Sequence, residues 1–251
     1  MGARLATRGL HSGVTVSLIL VALALLGVLW VYQGMVNRDQ WPVRWLEVDG
    51  AFERVSAEQL RSGLMPLIAG SFFVVDSDAV RAAALRQPWV SGVLVQKHWP
   101  DTVKVQVTEY VPVAHWTNGR LVAAGGLAFR VPGADEIQGL PWLEGADSDL
   151  PRVFGAWRDF NNELLPAGLE IDRIRLDRRG AWFLALTGGT EIHVGRADPV
   201  PRLRRLVAGW DRLMDGRGVA PLSVDLRYTN GFAVRWPAAP VKLAGNYGKE
   251  N

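Results

Sequence analysis

The chain opens on an unbroken apolar run: residues 14–32, VTVSLILVALALLGVLWVY, carry no charge. At 1.5 Å rise per residue this makes about 28 Å of helix, enough for a hydrocarbon core of roughly 30 Å, and it predicts a membrane span over 13–33. The rival reading is a cleaved signal peptide. An h-region runs only about 7–15 residues, however, and VYQGMVNRDQW has no small-x-small site after the run; Ala22-Leu23-Ala24 has that pattern only inside it. Trp30, Tyr32 and Trp41 suit the outer interface belt. Arg4 and Arg8 before the run are matched by Arg38 and Arg44 after it, so positive charge does not orient the span. The short tail at 1–12 and the long folded part beyond fit a cytoplasmic N-terminus and a bulk outside the cytoplasm.

From 43 to 111 the periods change in the order strand, helix, helix, strand, strand. RWLEV is a short strand. SAEQLRSGLMPLI opens with Ser56 and Gln59 at capping-box spacing and predicts a helix with Leu60, Leu64 and Leu67 on one face. A second helix starts near Asp76 or Ser77 and ends before Pro88. VSGVLVQKHWPDTVKVQVTEY reads as a hairpin, with Val103, Val105 and Val107 alternating against Lys104, Gln106 and Thr108 and a turn at Pro100-Asp101.

The region 112–240 is β-rich. Short strands between 113 and 131 are broken by TNG and AAGG. Val153, Trp157, Phe160 and Leu164 recur at helical spacing, IDRIRL, AWFLAL and TEIHV are strands, and PVPRLRRLVAGWDRLMDG is a helix with Leu203, Leu206, Trp210 and Leu213 in one stripe. Arg202, Arg204, Arg205 and Arg212 lie mostly off that stripe and read as a solvated face. The alternation predicts an α+β chain whose second domain is an antiparallel sheet crossed by two helices, followed by a tail at 241–251.

The last patterned stretch, SVDLRYTNGFAVRW at 223–236, is a hairpin with Val224, Leu226 and Tyr228 alternating before the turn and Phe232, Val234 and Trp236 after it. A two-residue loop would put these sets on opposite faces, because a slip of one residue flips every side chain. A three-residue loop at 229–231 puts them on one face and gives Gly231 a left-handed role. Pro237 and Pro240 stop the chain from extending the ladder. The final strand is thus expected to end the sheet and offer its free backbone edge to a partner segment.

Composition adds exclusions. The 251 residues include no cysteine, which removes disulfides, thiol catalysis and cysteine-zinc sites. The net charge of +3 is too diffuse to single out nucleic acid. His11, His98, His115 and His193 are scattered without metal spacing, Ser223 lacks a nucleophile elbow, and AAGG and TGGT fit hairpin turns rather than phosphate loops. No catalytic residue, metal or cofactor is assigned.

The β-α-α-β-β order beyond one N-terminal span, the run VQKHWPDTVKVQVTEYVPVAHW at 95–116 and the later VDLRYTNGFAVRW together resemble the FtsQ/DivIB family of bacterial division proteins. The resemblance covers the chain from the membrane helix to about Pro240. It implies a POTRA domain over 43–111, a β-domain over 112–240 and a non-enzymatic scaffold of the inner membrane, with its bulk periplasmic and located at the septum. It implies that the β-domain binds FtsB and FtsL and helps assemble the divisome for septal cell-wall synthesis. Carried onto this chain, the partner contact falls on Arg179, Arg227, Tyr228, Asn230, Gly231, Phe232, Val234 and Trp236, and a recruitment surface on Val95 and Lys97. Another POTRA-containing, chaperone-like assembly factor is the alternative, although such chains normally continue into a barrel. A membrane-tethered hydrolase lacks its constellation.

Overall fold

The computed structural model describes residues 8–37 and 40–237, with side chains of the first helix described from Thr15 onward. Arg4, Arg38, Pro240 and the tail expected at 241–251 lie outside the described residues. Contacts divide the chain into two compact units, Met1–Tyr110 and Val111–Asn251.

The first unit begins with α1, Arg8–Val36, of which Thr15–Val36 is long and apolar enough to cross a membrane and is not buried by the rest of the protein. Its leucines and valines therefore face outward, as a lipid-exposed helix requires.

Beyond it come β1 (Trp45–Asp49), α2 (Ala57–Ile68), α3 (Ser77–Ala84), β2 (Val90–His98) and β3 (Thr102–Glu109), in the order expected. The caps explain the helix starts. Ser56 accepts the Gln59 N–H at 3.3 Å, and the Asp76 carboxylate accepts those of Asp78 and Ala79 at 2.9 and 3.1 Å. The sheet order is β1-β3-β2, with β1 parallel and β2 antiparallel to β3. Val103, Val105 and Val107 face Val80, Ala84, Leu60 and Leu64 in one core. The α2 stripe differs from expectation: Ile68 completes it, and Leu67 is 40% exposed. The buried residues follow the i+4 row, which drifts about 40° round the helix per step, and Leu67 lies behind that drift.

The second unit contains β4 (Pro112–Trp116), β5 (Arg120–Ala123), β6 (Ala128–Phe129), β7 (Trp142–Glu144), α4 (Leu150–Leu164), β8 (Ile171–Leu176), β9 (Trp182–Leu186), β10 (Glu191–Gly195), α5 (Pro199–Met214), β11 (Ser223–Asp225) and β12 (Ala233–Arg235). They form one nine-stranded sheet in the order β12-β11-β10-β9-β8-β7-β4-β5-β6. The pairings joined by turns, β4–β5–β6, β8–β9–β10 and β11–β12, are antiparallel as expected. The sheet as a whole is mixed: β7∥β8 and β10∥β11 are parallel because α4 and α5 carry the chain back to the starting end between those strands, and β4∥β7 is parallel as well. Short β7 has no alternating pattern to announce it.

The two helices cover one sheet face. Val153, Phe160 and Leu164 of α4 and Leu203, Leu206 and Trp210 of α5 pack on Leu143, Ile174, Leu184, Ile192 and Val224. Arg204 ties the helices together through both oxygens of Glu163, at 2.9 and 2.6 Å. The α5 arginines are therefore not simply a solvated face.

Candidate functional site

Among the described residues, β12 is the terminal strand of the large sheet and pairs only with β11. Its register sets Val224 opposite Val234, which keeps the alternating apolar residues of both strands on the helix-covered face. That much follows the expected parity. The register itself is displaced by two residues from the three-residue loop: continued past Ala233, it places Leu226 across from Phe232 and leaves 227–231 as the loop. Gly231 is not among the residues with positive φ. Tyr228 consequently leaves the ladder and stands 59% exposed.

Two devices hold this longer loop. The Asp225 carboxylate accepts the backbone N–H of Arg227 at 3.0 Å and its guanidinium at 2.6–3.1 Å. From the other side Arg205 of α5 donates to the carbonyls of Thr229 at 2.6 Å, Tyr228 at 3.0 Å and Leu226 at 3.4 Å. Beside it, Arg202 donates to the Val194 carbonyl at 2.7 Å. Gly195 makes room for both arginine layers: at φ 88°, a Cβ there would lie 2.6 Å from Arg202 Nη1 and 3.1 Å from Arg227 Cγ. Arg205, Arg202, Asp225 and Gly195 are the supporting residues that sequence reasoning missed, since nothing in the linear pattern pairs α5 with the 226–229 carbonyls.

The expected site residues divide accordingly. Tyr228 and Asn230 are exposed, and so is Arg227, but Arg227 is already paired to Asp225. Phe232 and Val234 are half-buried against the core, Phe232 lying over Gly209 of α5. Their side chains are engaged by the core rather than presented to solvent. Trp236 is half-buried under the Arg217 guanidinium, 4.2 Å from its ring centroid. Arg179 is exposed in the β8–β9 turn, where Asp177 accepts the N–H groups of Arg179 and Ala181 at 2.9 and 2.8 Å. Gly195 pairs with Trp182 at the same end of the sheet, and β11 runs parallel to β10, so the 227–231 loop and the Arg179 turn share that end. At about 4.8 Å per strand they are about 14 Å apart.

The electrostatics follow the geometry. Arg227 beside it holds the Asp225 carboxyl below the usual carboxylate range, against partial burial, which raises it. Asp177 is lowered first by the Ala181 N–H. Among the described residues there is no group of three or more metal-ligating side chains. His115 is buried, stacked on Trp142 with centroids 4.1 Å apart, and its Nε2 lies 2.8 Å from the Ile137 carbonyl.

The second expected surface lies in the first unit. Lys97 is directly opposite Val103, in line with Val93 and Val95, so it stands on the core-facing side of β2. It escapes burial at the end of the strand, with Nζ 5.9 Å from the Phe72 ring centroid. Val95 is half-buried against the same core.

An outward-facing apolar helix, a β-α-α-β-β unit and a helix-backed mixed sheet ending in an open strand fit a single-pass membrane protein that carries a POTRA-type domain. Residues 28–110 match the POTRA domain, FtsQ-type, and residues 114–227 match the C-terminal domain of Cell division protein FtsQ/DivIB. The chain belongs to the FtsQ family of cell division proteins. It is 38% identical to Cell division protein FtsQ of Xanthomonas campestris pv. campestris, over 86% of this chain and 78% of that protein. It is 35% identical to the one from Allochromatium vinosum, over 87% of each. The corresponding protein of Burkholderia pseudomallei is 32% identical, over 87% of this chain and 88% of its own length.

Proposed function

We propose that this protein is a non-enzymatic divisome scaffold that binds the FtsB/FtsL pair through the free edge of β12, with its folded units in the periplasm at the septum. The observation that carries this reading is the position of β12 at the end of a nine-stranded sheet, flanked by exposed Tyr228 and half-buried Trp236. An edge strand presents unpaired N–H and C=O groups, and a partner segment adds to it as a further strand while side chains set the register. Aromatic residues beside such an edge are the type that dominates interfaces, commonly at about 2 kcal/mol or more per truncation. Arg179 stands at the same end and favours a partner segment bearing carboxylates, whereas the charge of Arg227 is already met by Asp225. In this reading the protein helps assemble the divisome, upstream of septal cell-wall synthesis.

The test is binding of an FtsB peptide to the purified protein. Tyr228→Ala removes a mostly exposed ring and leaves the melting temperature unchanged while weakening binding by about 30-fold. Trp236→Ala weakens it similarly. Normal binding by both variants would remove the edge from the mechanism.

The POTRA unit supplies a second surface in the same reading. β2 is itself a terminal strand, and it carries Val95 and Lys97 at its outer end. Lys97→Glu impairs recruitment of another division protein and spares peptide binding by the β-domain. Loss of both would indicate misfolding.

A further inference from the structure

The end of the POTRA sheet that receives the chain from α1 is also the end that carries its most exposed aromatic rings. β1 enters there, and because β3 runs parallel to β1 and β2 antiparallel, the β2–β3 turn is at that same end. The backbone confirms the proximity: the N–H groups of Arg44 and Trp45 donate to the Asp101 carbonyl at 2.9 and 3.3 Å. Trp45 is 65% and Trp99 69% exposed, so two large rings stand out to solvent at this end.

The same end is tied to the apolar helix. Ser71 Oγ donates to the Met35 carbonyl at 2.5 Å, and the Phe72 N–H donates to the Trp41 carbonyl at 2.8 Å. From there a ladder of rings crosses to the turn. Trp41 meets Phe73 edge to face at 5.6 Å, Phe73 meets Phe72 at 5.6 Å, and Lys97 Nζ lies over Phe72.

We propose that this collar is a membrane-contacting surface: Trp45 and Trp99 seat in the headgroup layer, and Lys97 and Arg44 face anionic lipid phosphates. The proposal rests on reading α1 as a membrane span. Tryptophan prefers the boundary where one edge is apolar and the other wet, and a lysine or arginine beside it reaches the phosphates on its aliphatic stem. Arg44 is partly neutralised by Asp101, 3.9 Å away, which leaves Lys97 the stronger of the two cations. Continuity with the span selects lipid as the occupant, because a chain leaving the bilayer at Val36 delivers this end of the sheet to the surface first.

The absence of cysteine permits single nitroxide labels on the full-length protein. Labels at Leu23→Cys, Glu53→Cys and His98→Cys report the span, the opposite end of the POTRA sheet and the collar. They are read in phosphatidylcholine vesicles with and without phosphatidylglycerol, by accessibility to oxygen and to a water-soluble nickel complex. The expected result is Leu23 in lipid, Glu53 in water and His98 at headgroup depth, deeper with phosphatidylglycerol. In the Trp45→Ala/Trp99→Ala background the His98 label moves to the Glu53 level, and Lys97→Gln reduces the phosphatidylglycerol effect to what Arg44 alone supports. A His98 label matching Glu53 while Leu23 is in lipid would overturn the collar and leave the span reading intact. A His98 label shielded from both reagents would mean protein contact and also overturn it. A water-exposed Leu23 label would remove the span and the collar together.

Discussion

Arg205 on α5 donates to the backbone carbonyl of Tyr228 at 3.0 Å, and through this contact a helix on the covered face of the sheet determines the shape of the loop beside its open edge. Charge-assisted hydrogen bonds contribute more than neutral ones, and the guanidinium fork suits several carbonyls at once. Arg205→Ala should therefore loosen the loop and speed exchange of the Arg227 amide, which Asp225 holds, by about tenfold, the equivalent of about 1.4 kcal/mol. Arg205→Lys should recover little of the protection, since a single ammonium cannot span the three carbonyls. Unchanged exchange in both variants would show that the loop holds itself.

Gly195→Ala should destabilise the β-domain by about 1–3 kcal/mol, because it places a Cβ at positive φ and against Arg202 and Arg227. Denaturant unfolding measures the loss. An equal melting midpoint would mean that both arginines can move aside freely.

Acid should release the loop at low pH. Asp225 has a carboxyl pKa lowered in the folded protein, so its pairing contributes stability that is fully present above the ordinary aspartate value of about 3.9 and is lost as pH falls through the lower folded value. The Arg227 amide resonance should therefore titrate with a midpoint below about 3.9. A midpoint at or above that value would contradict the Asp225–Arg227 pairing.

The revised α2 stripe separates two leucines. Leu64→Ala opens a cavity in the POTRA core and should cost about 2–5 kcal/mol, whereas Leu67→Ala at a partly exposed site should cost well under half as much. Equal losses in thermal unfolding would restore Leu67 to the core.

Much of this architecture was legible in the linear pattern because it depends on local periods. The apolar run makes α1, Ser56 and Asp76 start α2 and α3, and the valine alternation of β3 puts Val103, Val105 and Val107 inside without reference to distant residues. The order of elements in the first unit follows from these, and so does the parity of the last hairpin. The parallel joints of the second sheet were not read from strand patterns, since strand direction depends on what α4 and α5 do between strands.

The tripeptide Thr-Asn-Gly makes the division concrete, because it occurs twice. At 117–119 it joins β4 to β5 in a tight turn, with Asn118 and Gly119 at φ 65° and 63°. At 229–231 the same residues lie at the far end of a longer loop, and Gly231 has no positive φ. Sequence determined that a turn occurs at both places, since asparagine and glycine admit tight reversals at low cost. Only the tertiary structure decided their shapes: at the second, Asp225 accepts the Arg227 N–H and Arg205 donates to the carbonyls of Leu226, Tyr228 and Thr229, so the longer loop is held from both sides, and Tyr228 is left outside the ladder beside the open strand.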